Sequence, residues 1–187
     1  MSRTISLLIW AALLVQTVYA QDKTSNRDAY SAVAIGTGGS VGGKSMPFDF
    51  RISRYTTDGE VVQYAELLKD KGQDALRNAL EKLDAGRISR VGSVANQIAI
   101  ARKRTVGSDT AITIITPRIM SFVELRNGGR STSYPFGYLQ VTLNDKGEGT
   151  GKIMAAAKIR FDKKKGNYEI ESYGSQYIKA FNVRPSR

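Results

Sequence analysis

The stretch from Lys152 to Gly174 constrains the fold more than any other part of the chain, because apolar and polar side chains alternate along it. An alternation with a period of two residues is typical of a β-strand with one buried face. Residues 168–173 alternate in the same way, so the two arms predict an antiparallel hairpin. One face of the first arm is predicted to collect five apolar side chains: Ile153, Ala155, Ala157, Ile159 and Phe161.

The charges of the two arms predict the register of this hairpin. Cross-strand pairs of opposite charge stabilise a sheet by roughly 0.2–1 kcal/mol each. One register forms two such pairs and also matches the apolar side chains. That register pairs Phe161 with Tyr168, Ile159 with Ile170, Arg160 with Glu169, and Lys158 with Glu171.

The order of patterns along the chain predicts an α+β fold. A strand over residues 47–55 precedes two apolar stripes at helical spacing, which predict a helical pair or a kinked helix over Asp58–Ala85. Thr57 and Glu60 match a capping box at its start. Beyond Gly86 we expect a strongly twisted antiparallel meander of about six or seven strands that curls into a half or full barrel. The helical pair should pack against the concave face of this sheet or plug one end.

The N-terminal residues have the layout of a secretory signal peptide. Residues 1–20 contain Arg3, a short apolar run and Ala20 at a cleavage position. We therefore predict an exported protein, periplasmic or extracellular, with a polar and glycine-rich flexible lead-in over 21–46 and a single α+β domain over 47–187. No later segment is apolar enough to span a bilayer.

The segment from Gly38 to Ser45 satisfies the letters of a phosphate-binding loop. Such a loop holds phosphates with the amides of a helix that follows it directly. Here Pro47 follows at once, and the next residues alternate like a strand. We do not expect nucleotide binding and interpret the segment as a flexible connector or a wide turn.

The absence of His and Cys excludes several chemistries. A Ser-His-Asp triad, a thiol nucleophile and the usual zinc sites all need one of these residues. We predict no catalytic residue, no metal site and no cofactor. Glu169 and Glu171 share one strand face and could serve a carboxylate-dependent hydrolase, but their predicted pairing with Arg160 and Lys158 favours a structural role.

The positive charge indicates anionic partners. The formal net charge is +11 at pH 7, which in an exported protein favours contact with anionic envelope polymers, acidic lipids or nucleic acid. The alternative is that lysine-rich turns are solvated and block edge-to-edge aggregation. The candidate basic patch consists of Arg102, Lys103, Arg104, Lys163, Lys164 and Lys165.

A second candidate site combines aromatic and basic residues that flank the turn at Asn127-Gly128. Aromatic rings can stack on a ligand, and nearby arginines can bind its anionic groups. The candidate ligand-binding residues are Tyr134, Phe136, Tyr138, Arg126 and Arg130.

Three functional hypotheses follow from these patterns. The first is an exported non-enzymatic domain that binds or scaffolds at the cell envelope and contacts anionic polymers through basic loops. The second is a carrier of a small apolar ligand inside the curled sheet. The third is a carboxylate-dependent hydrolase.

Several short motifs resemble those of a group of exported bacterial proteins of uncharacterised function, and the resemblance covers most of residues 21–187. It implies no activity, ligand or catalytic residue. The motifs are Gly36-Thr-Gly-Gly39 with Gly43-Lys44-Ser45, Gly129-Arg130-Ser131 with Tyr134-Pro135-Phe136, Gly147-Glu148-Gly149, Ala157-Lys158-Ile159, and Glu169-Ile170-Glu171-Ser172-Tyr173-Gly174.

Overall fold

A computed structural model of the chain describes residues 28–36, 43–120, 133–173 and 178–186. The predicted signal peptide, residues 1–20, lies outside the described residues. The described elements are β1 (Asp28–Gly36), β2 (Ser45–Ile52), α1 (Asp58–Leu80), β3 (Gly86–Arg90), β4 (Asn96–Ile98), β5 (Ile100–Val106), β6 (Asp109–Thr116), β7 (Phe136–Leu143), β8 (Gly149–Asp162), β9 (Asn167–Ser172) and β10 (Ile178–Pro185).

The strands form one antiparallel sheet in the order β4-β3-β2-β1-β10-β8-β7-β6-β5, and β9 pairs with β8 beside this path. The α+β class and the curled antiparallel sheet are confirmed. Eight described strands, β3 to β10, follow the helix, so the prediction of six or seven was too low; in addition, β1 lies in the segment 21–46 that was predicted as a flexible lead-in. The residues of β1 are short and apolar, and strands β2 and β10 flank it on both sides.

A bend between β4 and β5 brings the two ends of the sheet together. β4 pairs with β3, whereas β5 pairs with β6. Between them the amide of Ala99 donates to the carbonyl of Ile115 at 2.9 Å, and the carbonyl of Ile98 accepts from Ala85 at 2.8 Å. The two short strands therefore act as halves of one bent strand, which makes the sheet a nearly closed barrel.

The interior of this barrel is filled by side chains from every strand of the path. Phe48, Phe50 and Ile52 point inward, as their alternation predicts, and the intervening Asp49 and Arg51 are exposed. The barrel core contains Tyr30, Ala32, Ala34, Phe48, Phe50, Ile52, Ala85, Ile88, Ile98, Ala101, Ile112, Ile114, Met120, Leu139, Val141, Leu143, Ile153, Ala180 and Val183.

Helix α1 packs on the outer face of the barrel. Its buried side chains contact residues that alternate with those of the barrel core, such as Ile100 beside Ala101 and Tyr138 beside Leu139. The prediction that the helix lies on the concave face or plugs one end was wrong, because the barrel interior is already occupied. The helix-side core contains Leu68, Leu76, Leu80, Ala99, Ile100, Phe136, Tyr138, Ala157 and Ile159.

Strand β8 contributes to both cores because a β-bulge changes which face its side chains occupy. Phe136 pairs with Ala157 but Tyr138 pairs with Met154, so the register shifts between these partners. Ile153 therefore enters the barrel core, while Ala157 and Ile159 enter the helix-side core. The prediction of a single apolar face along residues 152–162 was wrong for this reason.

The helix itself is a single kinked helix and not a helical pair. The Thr57–Glu60 capping box is confirmed, since the amide of Glu60 bonds to the Thr57 side chain and the Glu60 carboxylate accepts from the Thr57 amide at 2.8 Å. Gly72 interrupts the helix with φ 81°, which accounts for the two apolar stripes. The helix ends at Leu80, and Gly86 begins β3.

The hairpin of β8 and β9 has the predicted register. Phe161 pairs with Tyr168, Arg160 with Glu169, and Lys158 with Glu171. The guanidinium of Arg160 contacts both carboxylates, each at 2.7 Å.

Candidate functional site

The outer wall of the barrel carries the grooves in which the described residues could hold a ligand. One groove lies across β7, β8 and β10 and has a volume of about 430 Å³. We call it the β8–β10 groove. It is lined by Gln140, Thr142, Thr150, Lys152, Lys179 and Phe181.

Two lysines meet in this groove. Lys152 of β8 and Lys179 of β10 are direct cross-strand partners, and both side chains are exposed. Like charges placed opposite one another on a sheet repel and reduce stability. The pair concentrates positive charge at this point of the outer wall.

Hydrogen-bonding groups surround the two lysines. Gln140 is the partner of Lys152 on the β7 side, and its Oε1 accepts from the Tyr138 hydroxyl at 3.2 Å. Burial raises the pKa of Tyr138, which keeps this hydroxyl protonated as a donor. The exposed hydroxyls of Thr142 and Thr150 lie in the same groove. The site therefore combines two cations with an amide and two alcohols.

Few carboxylates occur on this part of the wall. The strands β5, β7 and β10 contain no Asp or Glu, and the acids of β6 and β8, Asp109 and Asp162, stand at a strand end. The outward residue row that crosses these strands is polar or cationic throughout. Successive cross-strand partners along it are Arg102, Thr113, Gln140, Lys152 and Lys179.

The predicted basic residues of β5 do not share one face. Arg102 belongs to the outer wall, where its side chain is 16% exposed, pairs with Asp58 and donates to the Thr56 carbonyl at 3.0 Å. Lys103 points to the opposite side, where its ammonium lies 3.4 Å from Asp28. Arg104 returns to the outer wall and is exposed. Because successive side chains of β5 point to opposite faces, the three basic residues do not form one surface.

The predicted basic residues Lys163, Lys164 and Lys165 form the exposed turn between β8 and β9. Lys165 contacts Glu169 at 2.8 Å, and the amides of Lys164 and Lys165 donate to Asp162. The backbone amides bonded to Asp162 lower the pKa of its carboxyl group. The same hydrogen bonds connect the turn to the end of β8.

The predicted aromatic ligand site is distributed between core and surface. Phe136 and Tyr138 are buried beneath α1. Tyr134 is half-buried, with its ring centroid 5.3 Å from that of Tyr173. The predicted partners Arg126 and Arg130 lie outside the described residues.

Sequence reasoning missed Phe181 and the pairing of Lys152 with Lys179. Both lysines stand at polar positions of alternating strands, which is the only local signal. Strand β9 lies between β8 and β10 in the chain, so the sequence of either strand alone does not predict how β8 and β10 pair. Phe181 lies on the same wall next to an irregularity of β10, where Asn182 has φ 49°.

Other chemistries find little support in the described residues. Ser45 begins strand β2, so the phosphate-loop letters are followed by no helix; residues 38–42 of that segment lie outside the described residues. Glu169 and Glu171 both bind Arg160. Where the structure describes the chain, no group of three or more acidic side chains converges as a metal site would require.

The fold and the groove together define a class: a nearly closed antiparallel barrel with one external helix and a cationic outer groove. Comparison of the chain with protein-family models, curated proteins and solved structures gives no match. In the described part of the chain, no helix combines the length and the apolar character needed to cross a bilayer.

Proposed function

We propose that this chain is an exported, non-enzymatic domain that binds an anionic polymer of the cell envelope through the β8–β10 groove. The observation that carries the proposal is the direct opposition of Lys152 and Lys179 within a groove lined by hydroxyl and amide groups. Two ammonium groups on neighbouring strands concentrate positive charge at one point of the wall, and this charge attracts an anionic group of a polymer.

The charge of the whole chain supports the same function. A formal net charge of +11 raises the local concentration of a polyanion and accelerates its association with the protein. Because exposed charges are screened by salt, the binding should weaken as ionic strength rises. Removing one cation that contacts the polymer should lower the slope of log affinity against log salt by about one.

The packing of the interior favours the groove over the carrier hypothesis. A carrier needs a cavity of about 300 Å³ or more inside the sheet. The inward residues instead pack against one another, and Phe48, Phe50, Ile114 and Leu139 are almost completely buried. The outer wall carries two open grooves of about 430 Å³ each.

The test is salt-titrated binding of fluorescent polygalacturonate, with uncharged dextran as the control ligand. We expect the double variant K152Q/K179Q to lose at least tenfold in affinity at low salt. The variant should fold about as stably as the parent, because both lysine side chains are exposed; a thermal melt checks this.

The matched control is K163Q/K164Q, which removes the same charge from the β8–β9 turn. It should change the affinity less than twofold. An equal loss in both double variants would show that total charge binds the polymer, and would overturn the groove. Absence of salt-dependent binding to polygalacturonate, anionic vesicles and single-stranded DNA would overturn the function itself.

A further inference from the structure

We infer, on the basis of the proposed function, that the polymer is an acidic polysaccharide and that it spans two grooves on the outer wall. The second groove lies across β1, β2 and β3 and also has a volume of about 430 Å³. We call it the β2–β3 groove. Its lining includes the polar residues Asp49, Arg51, Ser53, Arg87 and Ser89.

The second groove also carries a cationic pair, and in addition the carboxylate of Asp49 lines it. Arg51 and Arg87 are direct cross-strand partners, and both are exposed. The guanidinium of Arg87 is oriented by Asp84 and by the carbonyl of Gly86 at 2.9 Å. Arginine binds a carboxylate with two parallel hydrogen bonds. The Arg51–Arg87 pair is therefore suited to the carboxylate groups of a uronic acid.

The two grooves face the same side of one continuous sheet. Strand β10 borders the first groove and β1 the second, and the two strands pair directly, with outward partners that include Ser31 with Arg184 and Val33 with Phe181. The two cationic pairs are offset along the strands, because Arg51 is the partner of Ala29 whereas Lys179 is the partner of Ile35, six residues further along β1, which is roughly 20 Å. Arg184 and Phe181 occupy the middle of this path. A chain of several sugar residues is needed to reach both lysine and arginine pairs.

The chemistry of the path favours a polysaccharide over a nucleic acid. Proteins that bind single-stranded nucleic acid use repeated exposed aromatic rings on which successive bases stack. Among the described lining residues of the two grooves, Phe181 is half-buried and Phe50 is 1% exposed, so a single ring is accessible. Hydroxyl and amide groups are more frequent, as in Thr142, Thr150 and Ser89. These groups match sugar hydroxyls.

The experiment compares galacturonate oligomers of increasing length, from a dimer to a polymer, by fluorescence anisotropy. In the parent protein we expect affinity to rise steeply once the oligomer is long enough to span both grooves, because the second contact is intramolecular. The variant R51Q should leave the dimer affinity within twofold and weaken the polymer about threefold to tenfold. The variant K179Q should weaken dimer and polymer alike. K163Q is the control for loss of one charge.

The possible outcomes distinguish failure of the two-groove path from failure of the proposed function. If R51Q has the same effect on dimer and polymer, or no effect on either, while K179Q weakens binding, the two-groove path is overturned and the proposed function stands. If neither dimer nor polymer binds, the proposed function fails as well. If single-stranded DNA of equal charge and length binds more tightly than the polysaccharide, the ligand class is overturned. Melting temperatures of R51Q and K179Q within about 2 °C of the parent, as expected for exposed residues, ensure that the affinities report contacts and not unfolding.

Discussion

The barrel core and the helix-side core share strands β5, β7 and β8 but take their side chains from opposite faces of the sheet. In the barrel core, strands supply inward side chains by simple alternation, as Phe48, Phe50 and Ile52 do in β2. In the helix-side core, strands supply outward side chains, and two of them do so next to an irregularity, at Ala99–Ile100 and at Ala157. Alternation supplies most of both cores, and the bulge beside Phe136 lets β8 contribute Ile153 to the first core and Ala157 to the second.

The largest expected effect concerns the barrel core. Phe50 is almost completely buried, and its ring stacks on Tyr30 with the centroids 5.0 Å apart. We expect Phe50→Ala to lower the free energy of unfolding by about 3–5 kcal/mol, measured by denaturant unfolding. Phe181→Ala on the outer wall is the matched control and should cost less than half as much. Equal losses would contradict the assignment of Phe50 to the main core.

The next effect tests whether the helix-side core is a separate layer. Leu76 of α1 is buried in it, and we expect Leu76→Ala to cost about 2–4 kcal/mol because of the cavity left behind. Hydrogen exchange should accelerate in α1 more than in β1 and β2. Val62→Ala, at an exposed position of the same helix, should change stability by less than about 0.5 kcal/mol. Uniform acceleration across helix and barrel would indicate one undivided core.

A third prediction addresses the bulge that joins the two cores. A Cβ atom at Gly137 would collide with the Thr116 hydroxyl and lie 2.5 Å from Cγ of Met120. Gly137→Ala should therefore destabilise the protein by about 1–3 kcal/mol through overpacking. Gly59→Ala in α1, where a Cβ meets open space, should be neutral or stabilising. A neutral Gly137→Ala would show that the bulge tolerates a side chain.

The smallest effect appears at alkaline pH at the Asp28 end of the barrel. Burial, with a contribution from Asp28, raises the pKa of Tyr30 to about 12. Below pH 10 the tyrosine is protonated in both folded and unfolded states; above it the unfolded state ionises first, so stability falls between about pH 10 and 12. We expect about 1 kcal/mol to be lost by pH 11. Tyr30→Phe should make this decline less steep, while Tyr55 and Tyr138, whose pKa values burial also raises, continue to contribute to it; an unchanged slope would contradict the prediction.

The local features of the fold could be predicted from the sequence. The capping box at Thr57 and the register of Arg160 opposite Glu169 depend on residues close together in the chain, and both are confirmed. The burial of Phe48, Phe50 and Ile52 followed from their alternation. The sequence left open a helical pair or a kinked helix, and the choice between them, like the number of strands in the described residues, depended on the tertiary context of Gly72 and of β1.

The candidate site was predicted less well. Phe136 and Tyr138 are aromatic residues near a turn, but their contacts with α1 bury them. Arg102 and Lys103 are neighbours in the chain, but they lie on opposite faces of β5. Lys152 and Lys179 become partners only when β10 docks beside β8. The runs of basic residues in the sequence therefore did not predict the position of the β8–β10 groove.

The sequence by itself determined the antiparallel class, the start of the helix and the hairpin register, because these depend on alternation and on contacts within a few residues. Tertiary structure decided three further features: closure of the sheet at Ala99, the side on which α1 packs, and the opposition of Lys152 and Lys179. Each of these depends on which distant strands become neighbours. A shift of one residue at a bulge reverses the face that every following side chain occupies.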